Sequence, residues 1–292
     1  MPSPTPVEPF AFGIGPLQIT GFGLAVVAAF AIAQVVVVRE LARRGHQDHA
    51  DAAPDVVLAA LVGTVVGAKL YFVALTGDFS ALWSRGGFVF WGGFMGAVLF
   101  CFALIRAKRL RFARFADVSG IAIAAGYAVG RTGCWNVGDD YGRPWDGPLA
   151  VTFPNGAPPT TAANMRGMFG AVLPPGTPAE AIIAVHPTQL YETAMGLVMF
   201  AVLWRLRGHR HAEGWLFGAY CVLAGVERFV VEFVRAKDDR YFGPFTSAQV
   251  IALTVAAIGL VVMQLRRGTG PGRPGIYADA DDAGAALAPT AA

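Results

Sequence analysis

The sequence predicts an all-α bundle of seven membrane-spanning helices. Three observations lead there. Only 15% of the 292 residues are charged, where a soluble domain carries about 25%. Mean hydropathy is +0.51. The apolar residues gather into seven runs close to the roughly 20 residues that a helix needs to cross a bilayer. Such a composition excludes an ordinary soluble enzyme. A net charge of +3 is too small to point to nucleic acid. Three cysteines, Cys101, Cys134 and Cys221, cannot build a disulfide framework, and two of them read as small hydrophobes inside apolar runs.

The runs cover residues 17–38, 56–75, 88–105, 115–133, 187–204, 214–234 and 245–265. The segment before the first, MPSPTPVEPF, lacks the basic region of a cleavable signal peptide, so the first run is expected to stay in the mature chain. Run two carries Lys69, which is expected to pair with a neighbour or to snorkel. Run three opens in RGGFVFWGGFMG, whose glycines suit close helix approach. Run four ends at Arg131, in GRTGCW. Run five opens in HPTQLYE, with Glu192. Run six holds Glu227, Arg228 and Glu232, in ERFVVEFVR.

The loops set the orientation. Fourteen cations follow runs one, three, five and seven, and six (Arg85, Arg143, Arg166, Arg235, Lys237 and Arg240) lie on the other side. Positive charge stays in the cytoplasm, so the N-terminus is expected outside and the C-terminus inside, as seven spans require. The transmembrane domain is expected over residues 1–267. A Gly- and Pro-rich loop region of about 134–186 lies on the outer side, where long loops tend to carry function. Residues 268–292, GTGPGRPGIYADADDAGAALAPTAA, read as a disordered cytoplasmic tail.

Ionisable groups inside spans are costly and mark function. Arg131, Glu192, Arg228 and Glu232 all fall in the outer half of the membrane, and Arg228 and Glu232 share a helix face at a spacing of four. Charges from three helices at one depth point to a single polar cavity opening outward. Repeated halves and broken helices, the marks of a transporter, are not evident.

Several of these segments resemble the prolipoprotein diacylglyceryl transferases. HPTQLYE (residues 186–192) looks like that family's hallmark. GRTGCWNVGDDYGRP (130–144) resembles its glycine-rich signature, and ERFVVEFVR (227–235) its late arginine-glutamate motif. GIGPLQITGFG, GGFVFWGGFMG and the S-A-Q at 247–249 fall in matching order, so the resemblance covers about residues 10–265. It implies a seven-span enzyme of the bacterial inner membrane. Such an enzyme moves the diacylglyceryl group of phosphatidylglycerol onto the lipobox cysteine of a prolipoprotein, makes a thioether and releases glycerol phosphate. Neither metal nor dissociable cofactor is implied. Its partners would be that lipid, the prolipoprotein signal peptide and the bilayer. The alternatives are a divergent paralogue with another acceptor and a non-enzymatic lipid-binding or transport protein.

Carried onto this chain, the resemblance gives catalytic roles to Arg228, Glu232, His186 and Asp139. Substrate-binding roles go to Arg131, Gly142, Arg143, Gln189, Tyr191 and Glu192. Guanidinium suits the chemistry, because its fork matches phosphate oxygens and its charge favours thiolate. Arg131 is expected to hold the headgroup, Arg228 to make a second phosphate or thiolate contact, and Glu232 to orient Arg228. Three positions depart from the family pattern. Trp91 stands where a histidine is usual, Cys134 where an asparagine is, and Phe22 where a tyrosine is. The general base is left open among His186, Asp139, Asp140 and Glu192, or is dispensable if the arginines lower the acceptor thiol's pKa enough.

Overall fold

In the computed structural model, residues 4–15, 17–84, 87–236 and 244–278 are described. Two short β-pairings precede and cap the helices: β1 (Thr5–Pro6) runs parallel to β4 (Val151–Thr152), and β2 (Ala11–Ile14) pairs antiparallel with β3 (Leu17–Thr20). The α-helices are α1 (Gly21–Arg43), α2 (Gln47–Thr76), α3 (Phe90–Ala107), α4 (Phe112–Val137), α5 (Ala162–Phe169), α6 (Thr188–Leu206), α7 (Trp215–Val231) and α8 (Ser247–Leu265). A helix stands at each of the seven expected runs. By length and composition α1, α2, α3, α4 and α8 can each cross a membrane. The chain is therefore a polytopic helical membrane protein. α6 and α7 fall short of that standard; α7 has 17 residues, and both carry charges.

The boundaries move for local reasons. Run one begins as β3, and α1 starts only at Gly21, where the Thr20 hydroxyl accepts the Gly23 amide at 3.1 Å. α4 continues past residue 133 to Val137 and stops at Gly138, which takes a left-handed φ of 68°. Arg131 is thus a helical residue. α7 ends at Val231 rather than 234, and the turn that follows carries Arg235 back over the helix end. The S-A-Q element is part of a capping box: Thr246 accepts from the Gln249 amide, and Gln249 Oε1 accepts from the Thr246 amide.

α4 is the most buried of the five apolar helices. It packs against α1, α6 and α7, while α2 pairs with α3 and α7 with α8. Its inner face, with Val118, Ile121 and Ala124 fully buried, meets Leu41, Leu203 and Leu216. Lipid tails are as apolar as these side chains, so close packing rather than expulsion from water must hold them. The glycine run acts in that way. A Cβ on Gly96 would stand 2.1 Å from the Gly63 carbonyl oxygen, and one on Gly92 2.4 Å from that of Gly67. Two small-xxx-small pairs therefore cross backbone to backbone, and the α2 half of that crossing was not evident in the sequence. Lys69 is paired, as expected: its Nζ donates to the carbonyls of Ala81 at 2.9 Å and Ser84 at 2.6 Å.

The arginine-rich end of the bundle is locked by buried ion pairs. Arg44 and Asp117 meet at 2.7 Å with both side chains fully buried, and Arg114 meets Glu213 at 2.7 Å. Asp117 also accepts from the amides of Gly214 and Leu216, capping α7 from another helix. In the sequence these arginines mark only the topology. Residues 268–278, the start of the segment expected to be disordered, fold back on this end. Ile276 is buried and its carbonyl accepts from His46 Nε2 at 2.8 Å. Residues 279–292 lie outside the described residues, as do Arg85, Lys237 and Arg240.

At the opposite end, residues between α4 and α6 form a cap. It has its own core of Tyr141, Phe153, Met165 and Val185, joined by Val7 and Ala236. Isolated β-bridges pin it: Gly142 to Arg235, Pro144 to Val185 and Thr161 to Ile182.

Candidate active site

Three guanidiniums and three carboxylates from four parts of the chain meet beneath this cap. Arg131, near the end of α4, donates to Asp140 Oδ2 at 2.9 Å and to Cys134 Sγ at 3.2 Å, and pairs with Glu192 of α6. Arg235, in the turn after α7, reaches Asp140 Oδ1 at 2.7 Å and Glu192 Oε1 at 3.3 Å. Arg228 of α7 pairs with Glu232 at 2.6 Å and lies 3.9 Å from Glu192. Glu192 thus stands among all three arginines with its side chain only 2% exposed. A carboxylate so deeply placed is stable only when charge pairing offsets its lost hydration.

Solvent access separates the arginines. Arg131 and Arg235 are 11% and 14% exposed and are engaged by carboxylates, whereas Arg228 is 34% exposed. The groups in direct contact carry equal and opposite charge, so the cluster alone is neutral. Deeper in the bundle the Tyr127 hydroxyl donates to Glu227 at 3.0 Å.

The loop between α4 and α6 is held against this cluster by residues of the HPTQLYE element. Asp140 has a φ of 54°, a left-handed conformation that Asp tolerates better than most residues. Thr188 Oγ1 donates to the Asp140 carbonyl at 2.6 Å and Gln189 Nε2 to the Asp139 carbonyl at 2.6 Å. Both side chains are fully buried. Gln189 therefore fixes the loop and does not line an open surface. Gly142 is clamped likewise: its amide donates to the His186 carbonyl at 2.9 Å, and a Cβ there would lie 2.5 Å from the Val234 carbonyl oxygen. Arg143 holds the far side, with Nε donating to the Arg235 carbonyl at 2.9 Å.

Two expected site residues stand apart. The His186 ring stacks on Trp145 with centroids 4.2 Å apart, and its Nδ1 is 3.4 Å from the Tyr191 hydroxyl. Among the described residues this pair makes no ion pair with the arginines. Burial lowers the His186 pKa, so the ring is neutral at pH 7. The departing positions also find places. Trp91 meets the rings of Phe90 and Phe94 and is 47% exposed, and Phe22 packs near Gly133.

The two neighbouring aspartates titrate in opposite directions. Burial, reinforced by the charge of Asp140, pushes Asp139 up to about 6. Asp140 is also disfavoured by burial, but the guanidiniums of Arg235 and then Arg131 outweigh this and hold it down to about 2. Sulfur and oxygen atoms of Cys134, Asp139 and Asp140 lie within 4.8 Å of one another. Both Asp140 oxygens are already bound by arginines, however, which leaves a poor donor set for a cation. Asp139 Oδ1 and Arg131 Nε are buried without a hydrogen-bond partner among the described residues. They are capacity that a bound ligand can use.

Arg131, Glu192, Arg228 and Glu232 stand out in the sequence, and the fold brings those four together. Arg235, expected as a loop charge, joins them, and so does Asp140, expected only as a candidate base. The signal was present in ERFVVEFVR, where residues 228, 232 and 235 follow the i, i+4, i+7 spacing of one helix face.

The chain can be set beside known proteins. A family model for prolipoprotein diacylglyceryl transferase matches residues 9–265. A phosphatidylglycerol–prolipoprotein diacylglyceryl transferase of Geobacter sulfurreducens is 29% identical over 91% of this chain and 98% of its own. The protein of that name from Xanthomonas axonopodis pv. citri is 31% identical over 89% and 92%, and that of Nitratidesulfovibrio vulgaris 29% over 91% and 96%. With a match that spans all its described helices and every segment of the arginine-carboxylate cluster, this chain belongs to the prolipoprotein diacylglyceryl transferase family.

Proposed function

We propose that the chain transfers the diacylglyceryl group of phosphatidylglycerol to the thiol of a prolipoprotein's lipobox cysteine, at the arginine-carboxylate cluster. The observation that carries this reading is the convergence of Arg131, Arg228 and Arg235 around Glu192. In the transfer, a sulfur–carbon bond forms at the diacylglyceryl methylene. The carbon–oxygen bond to phosphate breaks, and its electron pair leaves on glycerol phosphate. The protein must hold a phosphate whose charge grows and must take up the thiol proton.

Arg228, the most exposed of the three guanidiniums, takes the phosphate directly, with Glu232 setting its direction. Arg131 is the hub: it joins α4, the loop and α6, and its free Nε turns to the leaving oxygen. Asp139 is the base. Its free oxygen and a pKa near 6 make it an ionised acceptor at neutral pH that is still basic enough to take a proton. Asp140 and Glu192 are engaged by arginines and serve to position them, and His186 steadies the loop. The names of the relatives support this donor and acceptor.

α6 and α7 complete seven spans, their charges tolerated because they face the cluster and not lipid. The arginine-rich end lies in the cytoplasm of a bacterium and the cap outside its inner membrane, as the positive-inside rule directs. Outward placement suits an acceptor delivered across the membrane. The test is Arg131→Ala in a thioether-transfer assay with phosphatidylglycerol and a lipobox peptide. Transfer is lost while the protein still inserts; normal transfer refutes the reading.

A further inference from the structure

A second polar-to-apolar gradient lies at the end of the bundle opposite the cap. There the last turns of α1 and α6 flank an open groove of about 650 Å³ lined by Arg43, Phe200, Ala201, Trp204, Arg205 and Arg207. Phe200 lies seven residues before Arg207, about 10 Å along the helix at about 1.5 Å per residue. The groove therefore passes from cations at its mouth, through an indole, to apolar side chains within a headgroup's depth.

Its charge is in excess. Arg43 and Arg207 share one carboxylate, Glu40, at 2.8 and 3.0 Å, and that carboxylate is 2% exposed. Two guanidiniums on one carboxylate leave a positive charge over. Arg205 adds another, exposed and with no hydrogen bond or ion pair among the described residues. The Arg207 guanidinium lies over the Trp204 ring at 3.7 Å, which holds both flat at the mouth. Arg43 also donates to the Tyr277 hydroxyl at 2.8 Å and to the Arg207 carbonyl at 3.2 Å, which fixes it at the groove wall. Arg43 and Arg207 remain 34% and 31% exposed, so an edge of each stays open to a ligand.

We propose that this groove binds an anionic phospholipid of the leaflet opposite the candidate active site. Its phosphate sits between Arg205, Arg207 and Arg43, its glycerol region against Trp204, and its chains along Phe200 and Ala201. Charge complementarity selects an anionic headgroup, and the apolar floor selects a lipid over free phosphate. The inference requires that α6 cross the bilayer and is independent of the transfer chemistry.

The test uses the full chain in phosphatidylcholine nanodiscs containing a rising fraction of phosphatidylglycerol brominated on its acyl chains. The signal is the tryptophan quenching that disappears in Trp204→Phe. It is expected to saturate at a low fraction of the anionic lipid, and brominated phosphatidylcholine is not expected to reproduce it. Arg205→Gln should shift the midpoint about fivefold and Arg205→Gln/Arg207→Gln further, since each cation contributes about a fivefold preference at a membrane surface. The Arg205 side chain makes no hydrogen bond or ion pair among the described residues, so the single variant decides the matter if the double variant does not fold. Equal quenching by both lipids, an unchanged midpoint in Arg205→Gln, or displacement by inorganic phosphate would each overturn the proposal. Arg131→Ala should lose transfer and keep this quenching, which separates failure of one reading from failure of the other.

Discussion

Gly142→Ala distinguishes a residue that contacts substrate from one that only places the groups that do. The added methyl carbon would stand 2.5 Å from the Val234 carbonyl oxygen and 2.6 Å from His186 Cβ, where ordinary contact begins at 3.4 Å. Relief therefore needs about 0.9 Å more room from the carbonyl and about 0.8 Å more from the Cβ. Neither obstacle is the free end of a flexible side chain. One is backbone of the turn that carries Arg235, and the other is the Cβ of a ring stacked on Trp145. The loop must move, and Asp140 and Arg235 move with it. A displacement of about 1 Å costs about 10²-fold in rate when it falls on groups that orient a reaction. Overpacking of this size costs about 1–3 kcal/mol of stability. The assay is steady-state thioether transfer, paired with a melting curve in detergent. The expected result is a fall in kcat of about 10²-fold in a protein that still folds. Wild-type kcat in Gly142→Ala would refute the clamp and with it the need for Arg235 and Asp140 to stay where they are.

Arg131→Ala is expected to abolish transfer and to leave insertion intact, measured by transfer assay and membrane fractionation. For Asp139, the carboxyl is raised from 3.8 to about 6 in the fold, so the stability tied to its proton is full below about pH 4 and is lost as pH rises through about 6. Asp139→Asn should therefore melt higher than wild type at pH 8, by on the order of 1–2 kcal/mol after solvent screening, and no higher at pH 4. In the same variant transfer should fall about 10²-fold or more, and the rise of wild-type rate with pH through about 6 should vanish. A parallel pH–rate curve in both proteins would remove Asp139 as the base. Asp117→Ala leaves Arg44 buried and unpaired, at a cost of about 3–5 kcal/mol; yield and melting temperature should drop while turnover per folded molecule is kept. Trp91→His should be tolerated or activating, because the side chain is half exposed and the family pattern has histidine there; complete loss of transfer would count against the alignment at that position.

The helices were legible in the sequence because a bilayer imposes a strict rule: about 20 apolar residues per crossing, with every backbone polar group satisfied within the helix. Arg131, Glu192, Arg228 and Glu232 were legible for the converse reason, as charges that hydrocarbon penalises. The ends of the helices were not, because Thr20, Gly138 and the turn after Val231 act through hydrogen bonds and backbone angles that hydropathy does not record. The partners were hidden as well. That Gly96 faces Gly63, that Gln189 holds the Asp139 carbonyl, and that Arg44 meets Asp117 across 73 positions depends on which faces meet. His186 shows the limit most sharply. By type it was a fair general base, yet it lies against Trp145, and a pKa near neutrality falls to Asp139 through burial beside a second carboxylate. Composition thus determined the solvent this chain lives in and which of its charges needed a reason to be there. Only the tertiary structure decided which charge neutralises which, because a buried ion pair is set by distances of a few ångströms between segments far apart in the chain.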